Sequence, residues 1–122
     1  SVRAAMPYVD VLSFQHFSAL PNVRQSLVKW HTETGLPVLL ADHAAVDRRN
    51  QANQRHLGAG YTETLRTLRE IPGCVGYHLC GAYLRNNVRK RALRDAAERP
   101  DDDALAAITA ANRAAGEWMR RG

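Results

Sequence analysis

The chain has 122 residues, of which 45% are hydrophobic and 24% are charged, and it carries a net charge of +5. This length allows one domain with a real core and is too short for two. No apolar run approaches the ~20 residues that cross a bilayer, which argues against a membrane protein.

The first predicted strand covers residues 8–14 and ends in Gln15 and His16. Asp10 lies inside this run among apolar residues, where a buried carboxylate would need a partner, so we expect it to be structural. The N-terminal residues SVRAA contain neither an initiator Met nor the apolar core of a signal peptide. We therefore expect a piece of a longer chain.

The next segment has the pattern of an amphipathic helix. Pro21 opens it and Gly35 is placed to end it. Its apolar residues recur at i, i+4 and i+7, the spacing of one helical face: Val23, Leu27 and Trp30. His31 follows Trp30 and is expected to be structural or solvated.

The second predicted strand covers residues 37–41, an unbroken apolar run that ends in Asp42 and His43. Such a run is typical of a parallel strand that is covered on both faces. Because successive side chains of a strand alternate, we expect Asp42 and His43 to point to opposite sides. Residues 44–58 are polar without a clean period and are interpreted as a long loop on the active side, or as a loop with a helical turn.

The remaining elements repeat this order. A second helix is predicted from Gly60, followed by a strand over residues 74–77 that ends in His78. Residues 85–94 carry five positive charges and no acid, and are interpreted as a solvated loop and helix start. A last helix is predicted to begin at residues 100–102, where its acids favour the positive end of the helix dipole.

Alternating strands and helices predict an α/β fold of three βα units with parallel strands. The strands begin near residues 8, 37 and 74, close to the ~30 residues per unit of an eight-unit barrel. Three units cannot close a barrel, so the chain is either a small open sheet or part of a (β/α)8 barrel. Three of the five histidines and Asp42 follow strand ends, which predicts a catalytic or binding face there.

Three stretches together resemble a known family: YVDVLSFQHF (8–17), WHTETGLPVLLAD (30–42) and PGCVGYH (72–78). In this order they look like the last three strands of retaining glycoside hydrolases with a TIM barrel, with the closest similarity to the β-galactosidase and agarase-like branch. The resemblance implies that residues 1–122 form the C-terminal part, strands 6–8, of a (β/α)8 catalytic domain. The N-terminal part of the barrel would be missing.

The resemblance also implies site residues and a substrate. Asp42 matches the position of the nucleophile, although the family usually has Glu there. The acid/base would lie on the fourth strand, outside this chain, and retention needs both carboxylates about 5–5.5 Å apart. The chain alone is therefore expected to be inactive, and its parent to hydrolyse a galactoside or agar-like polysaccharide without a cofactor or metal.

The residues expected to hold the sugar surround these strand ends. The eighth strand has Leu79 where the family has a Trp, so Tyr77, His78 or Tyr83 would supply the stacking or hydrogen-bonding surface. The full set of expected substrate ligands is Gln15, His16, His43, Tyr77, His78, Tyr83 and Asn86.

Two other functions compete with the glycoside hydrolase. His16, Asp42, His43 and His78 could bind zinc or iron in a metal-dependent TIM-barrel hydrolase. The basic residues 85–94 could instead serve a small non-enzymatic α/β binding module. Nucleic acid is a less favoured partner, since that run lacks interleaved aromatics, and the chain has no Gly-rich phosphate loop.

Overall fold

The structure is a computed structural model that describes residues 2–43, 57–80, 93–95 and 97–121. Tyr83 and Asn86 lie outside the described residues, as does most of the basic run. The chain divides into two compact units. Residues 1–43 and 66–78 form the sheet unit, and residues 44–65 and 79–122 form the helix unit.

Strands and helices alternate along the described chain. The elements are α1 (Val2–Ala5), a 3-10 helix (Met6–Tyr8), β1 (Leu12–Gln15), α2 (Leu20–Thr34), β2 (Val38–His43), α3 (Leu57–Arg69), β3 (Cys74–Leu79) and α4 (Asp102–Arg121). The strands form a parallel sheet in the order β1-β2-β3. The predicted α/β class with parallel strands is confirmed.

The start of the first strand differs from the prediction. Residues Met6–Tyr8 form a 3-10 helix, and β1 begins only at Leu12. Pairing starts there because the Leu12 N–H donates to the Pro37 carbonyl at 2.9 Å, immediately before β2. Asp10 therefore lies ahead of the sheet in a bend and is exposed, so the expectation of a buried carboxylate inside the strand is wrong.

Helix α2 has the predicted face and the predicted end. Val23 and Leu27 are fully buried against the sheet, as their spacing indicated. Gly35 ends the helix in the left-handed conformation at φ 69°, and its N–H donates to the His31 carbonyl at 2.8 Å. This is the usual termination of a helix by glycine, which tolerates a positive φ.

The core of the sheet unit lies on one face of the sheet. It consists of Leu12, Val23, Leu27, Val38, Leu40, Leu68 and Ile71. Residues from β1 and β2 pack there against α2 and the C-terminal end of α3. Each fully buried Val or Leu side chain contributes roughly 1.5–3 kcal/mol through the hydrophobic effect, so this layer holds α2 on the sheet.

Of the two roles expected for His31, structural or solvated, the structure shows the structural one. Its ring Nδ1 lies 2.8 Å from the Leu36 carbonyl oxygen, at the N-terminal end of β2. The carbonyl can only accept, so Nδ1 carries the proton. The ring also lies against Gly73, where φ is 76° and a Cβ would collide with it. Glycine is required there by both its conformation and the close approach.

The helix unit is built on a close approach of α3 and α4. A Cβ at Gly58 would lie 2.7 Å from the Ala107 Cβ and 3.2 Å from the Ala104 Cα. The Tyr61 hydroxyl donates to the Asn112 side chain at 2.7 Å, and burial raises the pKa of this phenol against the opposing effect of that bond. Helix α3 already includes Leu57 and Gly58, which were predicted to belong to the loop, and Leu57 is buried. The rest of the predicted loop, residues 44–56, lies outside the described residues.

A hydrogen-bonded turn precedes α4. The Asp95 carboxylate accepts from the backbone N–H groups of Arg99 and Ala97, both at 2.9 Å, and from the Arg99 Nε at 3.0 Å. Asp101 caps the helix, since its Oδ1 accepts from the Ala104 N–H at 3.0 Å. The predicted helix start near residues 100–102 is confirmed. None of the helices in the described residues is long and apolar enough to span a membrane.

Replacing Gly58 with alanine should lower the free energy of unfolding by about 1–3 kcal/mol, because the added methyl overpacks the contact with α4. The matched control is Gly116→Ala, at a helical position with nothing within 4 Å of the added Cβ. That change should raise stability by about 0.5–1 kcal/mol, the usual gain of alanine over glycine in a helix. Urea unfolding of both variants checks the opposite signs, and a stabilised Gly58→Ala would contradict the close approach.

Asp95 should make stability fall in acid. The Arg99 N–H above all, with the Ala97 N–H and the Arg99 guanidinium, holds the pKa of this carboxyl below its usual value, despite some desolvation. A lowered pKa in the folded state means that the contribution exists above the unfolded pKa of about 3.9 and is lost as the pH falls through the folded value.

The unfolding free energy of Asp95→Asn should therefore lie below that of the wild type at pH 7 and converge with it in acid. Denaturant unfolding measured from pH 7 down to pH 2 tests this. Asp10→Asn, which removes an exposed carboxylate elsewhere, controls for net charge. Parallel curves for wild type and Asp95→Asn would contradict the prediction.

Candidate active site

An irregularity in strand pairing shapes the C-terminal ends of β1 and β2. Phe14 pairs with Leu40, but Gln15 pairs with Asp42, so Ala41 is an extra residue in β2. Side chains of paired residues on neighbouring strands leave the sheet on the same face. Phe14 packs against the core, so Gln15 and Asp42 leave on the face opposite α2.

The bulge also decides the position of His43. With one residue inserted, the side chain after Asp42 returns to the core face, and His43 is only 5% exposed. Its ring Nδ1 lies 2.7 Å from the His16 carbonyl oxygen. A carbonyl can only accept a hydrogen bond, so the Nδ1 of His43 carries the proton.

The side chain of His16 also lies on the core side. Its Nε2 is 3.0 Å from the Ser26 hydroxyl on α2, while its backbone N–H donates to the Asp42 carbonyl at 3.0 Å. Sequence reasoning missed Ser26. Its position between Val23 and Leu27, at i+3 on the buried helical face, is the signal that could have identified it.

Tyr77 joins the third strand to this cluster. Its hydroxyl donates to the His43 carbonyl at 3.0 Å, and the two rings lie 6.3 Å apart at an angle of 57°. This tilted arrangement is in the favourable range for aromatic pairs. The end of β2 is therefore held from β1 by His16 and from β3 by Tyr77.

The predicted site residues thus form two groups. Gln15, which is exposed, and Asp42, which is half-buried, share the face of the sheet opposite α2, which we name the open face. His16, His43 and Tyr77 bond to other protein groups on or near the core side. His78 is exposed at the next position of β3. Tyr83 and Asn86 lie outside the described residues.

The separation of these residues onto two faces of the sheet also affects the hypothesis of a zinc or iron site. Within residues 2–43, 57–80 and the described parts of 93–121, no three His, Cys, Asp or Glu side chains are grouped so that they could hold a metal ion. The bulge gives the reason, because it turns Asp42 to the open face while His16 and His43 stay on the other.

The thiol of Cys74 lies half-buried at the start of β3. Burial raises the pKa of Cys74 above its ordinary value, against the smaller effect of its contact with the Gly76 carbonyl, 3.9 Å away. The reactive form of cysteine is the thiolate, so the protonated Cys74 is suited to packing.

Comparisons with known proteins give one similarity of fold. No family model matches the chain, and no curated protein matches its sequence. Among solved structures, the chain is similar to a β-glucuronidase from an uncultured Clostridium sp., with a TM-score of 0.54 and 16% sequence identity. The match covers 85% of this chain and 23% of that chain, so the present chain spans about a quarter of the length of the β-glucuronidase.

Tyr77→Phe should lower the free energy of unfolding by about 1 kcal/mol, because it removes the hydrogen bond to the His43 carbonyl. Urea unfolding measures the loss, and the NMR signals of the His43 ring should shift. Tyr61→Phe is the matched control, since it removes a hydroxyl bonded to Asn112 in the helix unit. Equal shifts of the His43 signals in both variants would contradict the assigned contact.

Proposed function

We propose that this chain is a segment of a glycoside hydrolase, the C-terminal part of a (β/α)8 catalytic domain that comprises strands 6–8. Three lines of support converge. The described strands are parallel and alternate with helices, the sequence resembles the last strands of such enzymes, and the fold is similar to part of a β-glucuronidase.

The observation that carries the proposal is the pairing of Gln15 with Asp42 on the face away from α2. In a (β/α)8 barrel the helices cover the outside, so this face would line the barrel axis. Both residues lie at the C-terminal ends of their strands, where the catalytic groups of such barrels are found.

Asp42 is proposed as the nucleophile that attacks the anomeric carbon, or as the carboxylate that stabilises positive charge developing there. A second carboxylate, from the part of the barrel outside this chain, would protonate the leaving oxygen and then activate water. The side chain of Asp42 is one methylene shorter than the usual Glu, so the backbone must bring its carboxylate to the sugar. The bulge, which shifts the backbone of β2 by one residue at this point, would do so.

The proposed sugar contacts follow from exposure. Gln15 and His78 are exposed and carry groups that both donate and accept hydrogen bonds, as sugar hydroxyls require. Tyr83 and Asn86 stay proposed ligands. His16, His43 and Tyr77 already bond to protein groups, which favours a role in holding the strand ends.

The proposed substrate is a galactoside or an agar-like polysaccharide, as the sequence resemblance implies. The similar solved structure is named a β-glucuronidase, so the two comparisons favour different sugars. A galactoside is neutral, whereas a glucuronide carries a carboxylate. The rates at which the enzyme hydrolyses an aryl galactoside and the matching aryl glucuronide therefore show which of the two sugars it prefers.

The test uses the protein encoded by the complete reading frame, obtained by sequencing upstream and downstream of this chain. We expect release of the aryl group from a β-galactoside, and a loss of about 10³-fold or more in kcat for Asp42→Asn, since one group that stabilises charge in the transition state contributes about 10²–10³-fold and a covalent nucleophile contributes more. Asp10→Asn, an exposed acid outside the sheet, is the matched control and should keep full activity.

Two results would overturn the proposal. One is an Asp42→Asn protein with wild-type activity, and the other is a folded full-length protein that cleaves no aryl glycoside or agar oligosaccharide. Salt-sensitive binding to DNA or RNA in the second case would favour the binding module with a basic patch.

A further inference from the structure

We propose that His43 is a positioning residue: its buried ring stabilises the bulge at the end of β2 and thereby sets the direction of the Asp42 side chain. The consequence for catalysis rests on the proposed function of Asp42. The structural part does not, because the bulge and its hydrogen bonds exist whether or not Asp42 acts on a sugar.

Asp42 and His43 are joined to neighbouring parts of the sheet unit by three of their hydrogen bonds among the described residues. The His16 N–H donates to the Asp42 carbonyl at 3.0 Å, and the His43 Nδ1–H donates to the His16 carbonyl at 2.7 Å. The Tyr77 hydroxyl donates to the His43 carbonyl at 3.0 Å. The backbone N–H of His16 thus binds the Asp42 carbonyl, and the backbone carbonyl of His16 binds the ring of His43. Both polar groups of the His16 backbone are therefore bonded to the last two residues of β2.

The bulge needs the hydrogen bond from the His43 ring to the His16 carbonyl because it interrupts the regular pairing of β1 with β2. A bulge disrupts the ladder locally and leaves an extra residue unpaired. If β2 relaxed to a regular strand, Asp42 would follow Ala41 in alternation and turn to the core face, and His43 would turn to the open face. Burial of the His43 ring, which is 5% exposed, opposes this exchange.

The identity of the donor atom makes the proposal specific. The bond to His16 uses Nδ1, the ring nitrogen nearest the backbone. An Asn side chain places its amide NH2 at nearly the same distance from Cα, whereas Gln extends one methylene further and Leu has no donor. His43→Asn should therefore restore what His43→Leu removes, and His43→Gln should restore less.

The kinetic test uses the full-length protein with an aryl β-galactoside. His43→Leu should lower kcat about 10²-fold, the effect of a displacement of ~1 Å at a reacting centre, with a smaller change in KM. His43→Asn should recover most of that loss. His31→Leu and His31→Asn are the matched controls, because His31 also donates from Nδ1 to a backbone carbonyl, at the other end of β2. Both should leave kcat near the wild-type value.

A measurement on the unaltered protein tests the bond without any variant. In protein labelled with ¹⁵N-histidine, the His43 ring should show a proton on Nδ1. The His16 amide should exchange slowly with solvent, remain slow in His43→Asn and become at least tenfold faster in His43→Leu. These signals do not depend on enzymatic activity.

The outcomes separate the two proposals. An unprotonated Nδ1, an unchanged His16 exchange rate in His43→Leu, or equal kcat in His43→Leu and His43→Asn would overturn the role of His43. If Asp42→Asn keeps its activity while the histidine signals behave as expected, the proposed function is wrong and His43 still stabilises the bulge. The positioning role then has no catalytic consequence.

Discussion

The parallel pairing of β1 with β2 is the constraint on which the rest of the sheet unit depends. Up to Phe14 the pairing is regular, and it places Leu12 and Phe14 of β1 on the same face as Val38 and Leu40 of β2, toward α2. One residue later the register of the pairing shifts, and this shift places the polar side chains at the strand ends on two different faces of the sheet. Gln15 and Asp42 lie on the open face, while His16 and His43 lie on the side of the helix.

Burial of polar groups explains why this separation is stable. A buried imidazole is costly unless its polar atoms are bonded. The ring of His43 donates to the His16 carbonyl, and the ring of His16 contacts Ser26 on α2. Among the described residues, no buried side-chain nitrogen or oxygen lacks a hydrogen-bond partner. The two histidines thus connect the strand ends to the core.

The helix unit uses a different means of packing. Small residues, Gly58, Ala104 and Ala107, allow the backbones of α3 and α4 to approach closely. The turn before α4 relies on hydrogen bonds to Asp95 instead of on buried apolar side chains. A carboxylate that accepts several N–H groups can order a short exposed segment, because each donor favours its charged form.

Periodicity and turn chemistry predicted the elements well wherever they depend on neighbours in the chain. The apolar spacing of Val23 and Leu27, the glycine at position 35 and the acids at residues 101 and 102 act within a few residues, so the pattern was sufficient for α2 and α4. The first strand was predicted four residues too early. Its start depends on where β2 begins to supply partners, which is a contact between distant parts of the chain.

The same distinction applies to the candidate site. By itself the sequence determined that Gln15, His16, Asp42, His43 and His78 lie at or beside the C-terminal ends of strands, because each apolar run is local. Only the tertiary structure decided which of them share a face. That outcome depends on a one-residue shift between β1 and β2 and on the burial of His43. Neither can be read from alternation along one strand, since a bulge exists only relative to a paired neighbour.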